Sequence, residues 1–347
     1  MGIPSYYSYI IKNYDKLLKN LKMFEKKVDN FYLDSNSIIY DCLNKDINED
    51  DLIKKVCLKI DEYIKLVNPK KLVYIGFDGI APVAKLKQQK ERRYKSKFME
   101  MLLEELYEDN DIEIKEPTSF DKTCITPGTN FMKKLDKKIK DFFKDREKIY
   151  GTGQIIISGS DERGEGEHKI FKKIRENKNN EKHIIYGLDA DLIILCLNHL
   201  SFSREIYLFR ETPEFASNIN INIDNSELYL MDIYELMNLL LEEMFDNKNL
   251  KNKEILIKDY VFLMMFMGND FMPHFPSLNI RTFGIHMILE LYKVVLGNKN
   301  LRLIEDNERI CWKNLRELLE KLATMELDNL KKEYSIRNRI AKNQKFV

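Results

Sequence analysis

A chain of 347 residues, 44% of them hydrophobic, is long enough to bury a large core as one α/β domain or a domain with a lobe. No membrane association is expected: the longest apolar stretches, such as Tyr260 to Met267, fall well short of the ~20 residues of a transmembrane helix, and Met1 to Tyr6 has neither a signal peptide's apolar core nor a myristoylation pattern. The net charge of +1 hides a charged fraction of 33%, which leaves nucleic acid open as a partner. Cys42, Cys57, Cys124, Cys196 and Cys311 show neither disulfide nor zinc spacing and suit a reducing interior.

Pro4, followed by Tyr6, Tyr7, Tyr9, Ile10 and Ile11, predicts a helix entered through proline. Asn30 to Asp34 predicts a strand that ends in an acid. The pattern repeats with a helix from about Asp50 to Leu66, a strand from Leu72 to Phe77, and Asp78-Gly79 at its end. Gly79 would permit a sharp turn and bring backbone close to a ligand. Taken singly, Asp34 and Asp78 also suit a loop or a cap.

From Lys85 to about Leu106 a helical pattern runs without Gly or Pro. Lys85, Gln89, Arg92 and Arg93 fall at i, i+4, i+7 and i+8, on one face. Such a face suits a terminal phosphate, because arginine offers a planar fork of donors; a solvated charged face is the plain alternative. Tyr107 to Lys122 is acidic and irregular, which suits a mobile excursion or the tip of a protruding lobe. Thr123 to Thr129 predicts a turn opening a helix, with Pro127 near its first position. That helix carries an apolar stripe of Phe131, Leu135, Ile139, Phe142 and Phe143, read as core, among solvated lysines.

Gln154 to Gly159 predicts a buried strand leading to Gly164-Glu165-Gly166-Glu167 and a helix with Ile170, Phe171 and Ile174 inward. Glycine in an early helical turn costs up to about 1 kcal/mol relative to alanine, so these glycines predict a close approach of backbone to a bound group. The next strand ends near Gly187, with Asp189 and Asp191 just past it and a helix starting at once. Two carboxylates one residue apart at a strand end suit a hard divalent cation, although a helix cap would also use them. Strands follow at Glu205 to Phe209 and around Leu228 to Leu230, then helices from Ile233 and Ile255. The second of these ends in Gly268-Asn269-Asp270, with His274 in a proline-flanked turn. Phe283 to Leu296 and Trp312 to Leu330 are helical packing elements, and Trp312 is assigned to the core. The chain has no internal repeat, P-loop or Rossmann glycine fingerprint.

Asp34, Asp78, Glu165, Glu167, Asp189, Asp191 and Asp270 each sit where a strand or helix finishes, and parallel strands would bring those ends to one edge. Two negative charges ~4 Å apart repel by about 4 kcal/mol at an effective dielectric of 20, so such a cluster takes up protons or binds divalent cations. Cations with open positions imply metal-assisted hydrolysis, with magnesium the natural choice for carboxylate and phosphate ligands.

Several stretches resemble the N-terminal region of the XRN 5′→3′ exoribonucleases: Asp34 to Ile39, Phe77 to Arg93, Cys124 to Thr129, Gly164 to Ile170, Tyr186 to Ile193 and Gly268 to Leu278, in the family's order. The resemblance implies a nuclease core related to flap endonucleases, in which the seven acids hold two Mg²⁺ ions, with Mn²⁺ able to substitute. It also implies that Lys85, Gln89, Arg92 and Arg93 bind the RNA 5′-phosphate and that Asn36 and Tyr40 contact substrate. Tyr40 stands where cellular members usually carry histidine, and Ser37 replaces a usual glycine. The family's second region has no evident counterpart before Val347.

The expected fold is therefore α/β, a mainly parallel central sheet flanked by helices. Residues 1–280 would form the nuclease core, with the basic helix at about 84–108, and 281–347 a helical extension packed on it. The expected activity is Mg²⁺-dependent hydrolysis of 5′-monophosphorylated single-stranded RNA to nucleoside monophosphates. The alternatives are a flap-type 5′ nuclease acting on DNA and a non-catalytic RNA-binding protein. Absent sorting signals and the base composition point to a monomeric, cytoplasmic, virus-encoded factor in mRNA decay, with a nuclear location left open.

Overall fold

The structure, a computed structural model, describes every residue except 1–2, 4, 25–26, 45–46, 110–119, 177–180, 214–215, 217–222, 225, 248–249 and 345–347. Pro4 and most of the acidic excursion expected at Tyr107 to Lys122 lie outside the described residues. The strands are β1 (Leu18–Asn20), β2 (Asn30–Asp34), β3 (Leu72–Gly76), β4 (Gln154–Ser158), β5 (His183–Tyr186), β6 (Ile206–Arg210) and β7 (Tyr229–Asp232). The helices are α1 (Tyr6–Asn13), α2 (Asn36–Asp41), α3 (Glu49–Val67), α4 (Val83–Asp109), α5 (Asn130–Phe143), α6 (Glu147–Tyr150), α7 (Gly166–Glu176), α8 (Asp191–Asn198), α9 (Ile233–Met244), α10 (Lys253–Met264), α11 (Gly284–Val295) and α12 (Trp312–Gln344). They fall into two compact units: Phe24–Leu188, and Met1–Met23 with Asp189–Val347.

In the unit Phe24–Leu188, β2 pairs in parallel with both β3 and β5, and β3 pairs in parallel with β4. Leu33 lies opposite Ile75 and Tyr186, and Ile75 opposite Ile157, so the carboxyl ends of all four strands share one edge. Every residue of β2, β3 and β5 is buried, which is why each reads as an unbroken apolar run rather than an alternation. Helix α3 starts at Asn48, whose side chain accepts from Asp51 N at 2.9 Å, and stops at Asn68, held at φ 52°. The stripe on α5 packs as expected at Phe131, Leu135, Ile139 and Phe143, which are buried, while Phe142 is only half-buried. Its cap is Thr129, which accepts from Met132 N at 3.3 Å, so Pro127 stands two residues before the cap instead of in the first turn.

In the other unit, β1 pairs antiparallel with β7, and β7 antiparallel with β6. β1 is only three residues long and too short to leave a period in the sequence. Trp312 corrects its expected place in the core. It is 67% exposed because it opens α12, while the helix's contact face begins further along at Leu315, Leu318 and Leu322. Helix α12 runs on to Gln344, well past Leu330, and buried Glu333 accepts from Asn279, Thr282 and Arg337 to pin it to the turn before α11.

Candidate active site

Four of the expected acids meet at the strand edge of Phe24–Leu188. Asp34 is the last residue of β2, opposite Gly76, and only 8% exposed. Asp78 follows β3 by two residues and is held by a reciprocal pair of bonds: Asn36 Nδ2 donates to Asp78 Oδ2 at 2.7 Å, and Asp78 N donates to Asn36 Oδ1 at 3.1 Å. Its other oxygen accepts from Gly166 N at 2.7 Å, at the positive end of α7. Asn36 is thus first a partner of a carboxylate, a role its sequence position did not disclose.

Gly166 explains one of the glycines. A Cβ at this position would lie 2.5 Å from Asp34 Oδ1. The close approach is to a protein carboxylate as well as toward any bound group, so Asp34, Asp78, Glu165 and Glu167 gather around one Cβ-free helix start. Glu165 and Glu167 are both buried, and exposed His168 places Nδ1 3.5 Å from Glu165 Oε2 and 3.6 Å from Glu167 Oε1. The ligand atoms of these three residues lie within 4.8 Å of one another. Glu165 Oε2 is buried and accepts no hydrogen bond among the described residues. An oxygen-rich, buried donor set with an unsatisfied carboxylate oxygen fits a hard divalent cation.

Two supports for this cluster were missed by sequence reasoning. Buried Lys169 donates to Phe77 O at 2.9 Å and Gly159 O at 2.8 Å, tying the loop after β3 to the loop after β4. Burial pulls its ammonium pKa down, against the opposing fields of Glu162, Asp78, Asp136 and Asp161. Buried Asp136 of α5 accepts from Ser160 N with both oxygens at 3.0 Å and from Ser160 Oγ at 2.6 Å. In the sequence Lys169 shows only as a lysine just after the Gly164 to Glu167 run, and Asp136 as one acid among the lysines of the α5 segment. Gly79 closes the same junction: it donates to Gly164 O at 2.9 Å, and a Cβ there would strike Glu162 O at 1.6 Å. Its expected close approach is therefore to backbone.

The basic helix α4 meets the cluster through Lys85, which is 8% exposed and forms an ion pair with Glu165 Oε1. Breaking a buried pair of this kind typically costs about 3–5 kcal/mol. Gln89 and Arg92 are half-buried and Arg93 is exposed on the same helix. Tyr40, on α2, is 49% exposed. Partial burial raises its hydroxyl pKa, the Arg93 guanidinium opposes that shift and the Asp78 carboxylate reinforces it. Tyr40 thus senses both the basic helix and the acids.

The other three acids belong to the unit containing Asp189–Val347. Asp191 is the first residue of α8, whose N-cap is Ala190, so neither acid stands at the capping position itself, and Asp191 lies in the first turn, where an acid suits the helix dipole. Ile3 N donates to Asp191 Oδ1 at 3.1 Å. Burial raises the Asp191 pKa, and the carboxylates of Asp270 and Asp189 raise it further, so these three acids share one electrostatic neighbourhood. Asp270 is carried by a loop in which Asn269 Oδ1 accepts from Phe271 N and Met272 N, while Gly268 adopts φ 81°. A Cβ on Gly268 would lie 2.7 Å from His274 N, and the His274 side chain is exposed, as its turn position suggested.

Residues 1–212 match the family described as XRN 5′-3′ exonuclease N-terminus, and residues 250–346 match the Xrn1 helical domain. The chain belongs to the XRN 5′-3′ exonuclease family. The 5′-3′ exoribonuclease 1 of Saccharomyces cerevisiae is 34% identical over 96% of this chain and 23% of its own length. The corresponding figures are 31%, 96% and 26% for 5′-3′ exoribonuclease 1 of Schizosaccharomyces pombe, and 28%, 98% and 41% for 5′-3′ exoribonuclease 2 of Arabidopsis thaliana. The chain thus spans about a quarter to two fifths of the length of these XRN relatives. The helical-domain match gives the segment after residue 280 a place in the family where the sequence alone offered only packing.

Proposed function

We propose that the protein is a divalent-metal-dependent 5′→3′ exoribonuclease that hydrolyses 5′-monophosphorylated single-stranded RNA to nucleoside monophosphates. The observation that carries this is the direct contact between the two halves of such a site: a lysine of the basic helix paired with a glutamate of the buried acid cluster. Membership of the XRN family and the names of its relatives support the reaction class.

Asp34, Asp78, Glu165 and Glu167 would hold a cation in their unit, and Asp189, Asp191 and Asp270 would offer carboxylates to a cation in theirs. Magnesium is favoured by an oxygen-rich donor set and a phosphate substrate, and Mn²⁺ would substitute. When bound, the cation would supply Lewis acidity to the phosphate and lower the pKa of an attacking water. The chain's own part is positioning. Gly166 N and Asn36 orient Asp78; Lys169 and Asp136 hold the loops; Arg92 and Arg93 offer bidentate donors to a terminal phosphate. Partly exposed Tyr40 presents an aromatic face on which a terminal base can stack.

The test is product analysis on end-labelled RNA. Cleavage of 5′-monophosphate RNA should release mononucleotides, stop in EDTA and vanish in Asp34→Ala, while RNA binding persists. Arg92→Ala/Arg93→Ala should slow cleavage of 5′-phosphate RNA by at least about tenfold and spare 5′-hydroxyl RNA. Preferential cutting of DNA flaps, or no Mg²⁺-dependent turnover of any substrate, would overturn the proposal.

A further inference from the structure

Glu165 has its two carboxylate oxygens in different company. Oε1 is paired with Lys85, and both side chains are almost entirely removed from water. Oε2 is buried, accepts no hydrogen bond among the described residues, and faces the Glu167 and His168 ligand atoms. The carboxylate therefore touches the basic helix with one oxygen and the candidate cation position with the other. Water, which would damp such a connection, is largely excluded, so a change of charge at one oxygen is felt at the other with little screening.

We infer that Glu165 and Lys85 couple the two recognition events of the site, so that occupancy by a divalent cation sharpens the preference for a 5′-phosphate. This rests on the proposed function and deepens it. The sign follows from electrostatics. A cation on Oε2 draws carboxylate charge away from Oε1, Lys85 is less neutralised by its partner, and its ammonium presents more positive charge to a phosphate. Linkage makes the effect reciprocal: a 5′-phosphate engaging Lys85 releases Glu165 to the cation, so the cation binds more tightly by the same factor. Arg92 and Arg93 supply discrimination that does not pass through Glu165. Lys85 is thus a specificity-determining residue whose effect is conditional on metal, unlike the arginines on the same helix face.

The experiment measures binding without turnover. Adenosine 3′,5′-bisphosphate and adenosine 3′-monophosphate contain no internucleotide bond to cut and differ in the 5′-phosphate. Each is titrated calorimetrically into the full chain in EDTA and at rising Mn²⁺, and Mn²⁺ binding is followed separately by the loss of its free-ion electron paramagnetic resonance signal. The affinity ratio of bisphosphate to monophosphate should rise about tenfold between EDTA and saturating Mn²⁺, within the span usual for coupled sites. Mn²⁺ should bind tighter by the same factor when bisphosphate is present. Lys85→Met and Lys85→Gln should lose the Mn²⁺ dependence. The glutamine keeps a donor to Glu165 where methionine could leave that acid unpaired and the protein unfolded. Arg93→Ala should lower the ratio at every Mn²⁺ concentration and keep its Mn²⁺ dependence. A ratio of one throughout would overturn 5′-phosphate recognition itself. A ratio above one that ignores Mn²⁺, or a Mn²⁺ dependence that survives in folded Lys85→Gln, would overturn the coupling alone.

Discussion

Replacing Gly166 with alanine separates folding from function at this site. The added Cβ would stand 2.5 Å from Asp34 Oδ1, where ordinary contact begins at 3.4 Å, so the carboxylate oxygen must retreat by about 0.9 Å. Asp34 ends a buried strand locked on both sides by β3 and β5, so its backbone cannot follow and only the side-chain torsions can give. In stability the terms oppose one another: alanine in a helical turn gains up to about 1 kcal/mol over glycine, and crowding a packed site costs about 1–3 kcal/mol. The net loss should be no more than about 3 kcal/mol. In activity they do not cancel, since a 1 Å misplacement of a reacting group costs about 10²-fold. Urea denaturation and single-turnover cleavage of 5′-phosphate RNA measure the two separately. A folded Gly166→Ala protein that cleaves at the normal rate would refute the placement of Asp34 against the start of α7.

Asp191→Asn should abolish cleavage yet raise the melting temperature at pH 7 in metal-free buffer, because burial and the neighbouring acids raise the Asp191 pKa and the ionised form strains the fold. A raised carboxylate destabilises as pH climbs through its folded value, so the advantage should vanish below the unfolded value of 3.8. His183 is fully buried and its pKa is pushed down to about 4 from 6.5. The unfolded chain takes up the proton first, so stability in urea should be complete above pH 6.5 and fall by about 3 kcal/mol on descending to pH 4; a flat profile in this range would contradict it. Lys169→Met leaves the carbonyls of Phe77 and Gly159 without their donor, which should cost about 3 kcal/mol in urea denaturation and weaken Mn²⁺ binding about tenfold or more.

Much of this protein could be read one segment at a time. Strands β2, β3 and β5 are buried on both faces, and that condition prints itself as an apolar run whose end is easy to find. An acid or a glycine at or just after the end of such a run is conspicuous, which is how Asp34, Asp78 and Asp189 could be named beforehand. Helical period likewise marked the stripe on α5 and the four residues of α4, because side chains on one face recur at fixed spacing.

What one-dimensional order does not hold is company. Nothing local says that Gly166 is small for the sake of Asp34, 132 positions earlier, that Asn36 exists for Asp78, or that Lys169 ties two loops through their carbonyls. Trp312 was assigned by residue type and came out exposed, since burial depends on which turn of a helix meets a neighbour. The kinds of residue and their spacing along each element were set by the chain's own order. Which carboxylate each lysine, amide and glycine serves was decided only when the parallel register brought distant strand ends together, because pairing energies depend on distance in space and not on separation in sequence.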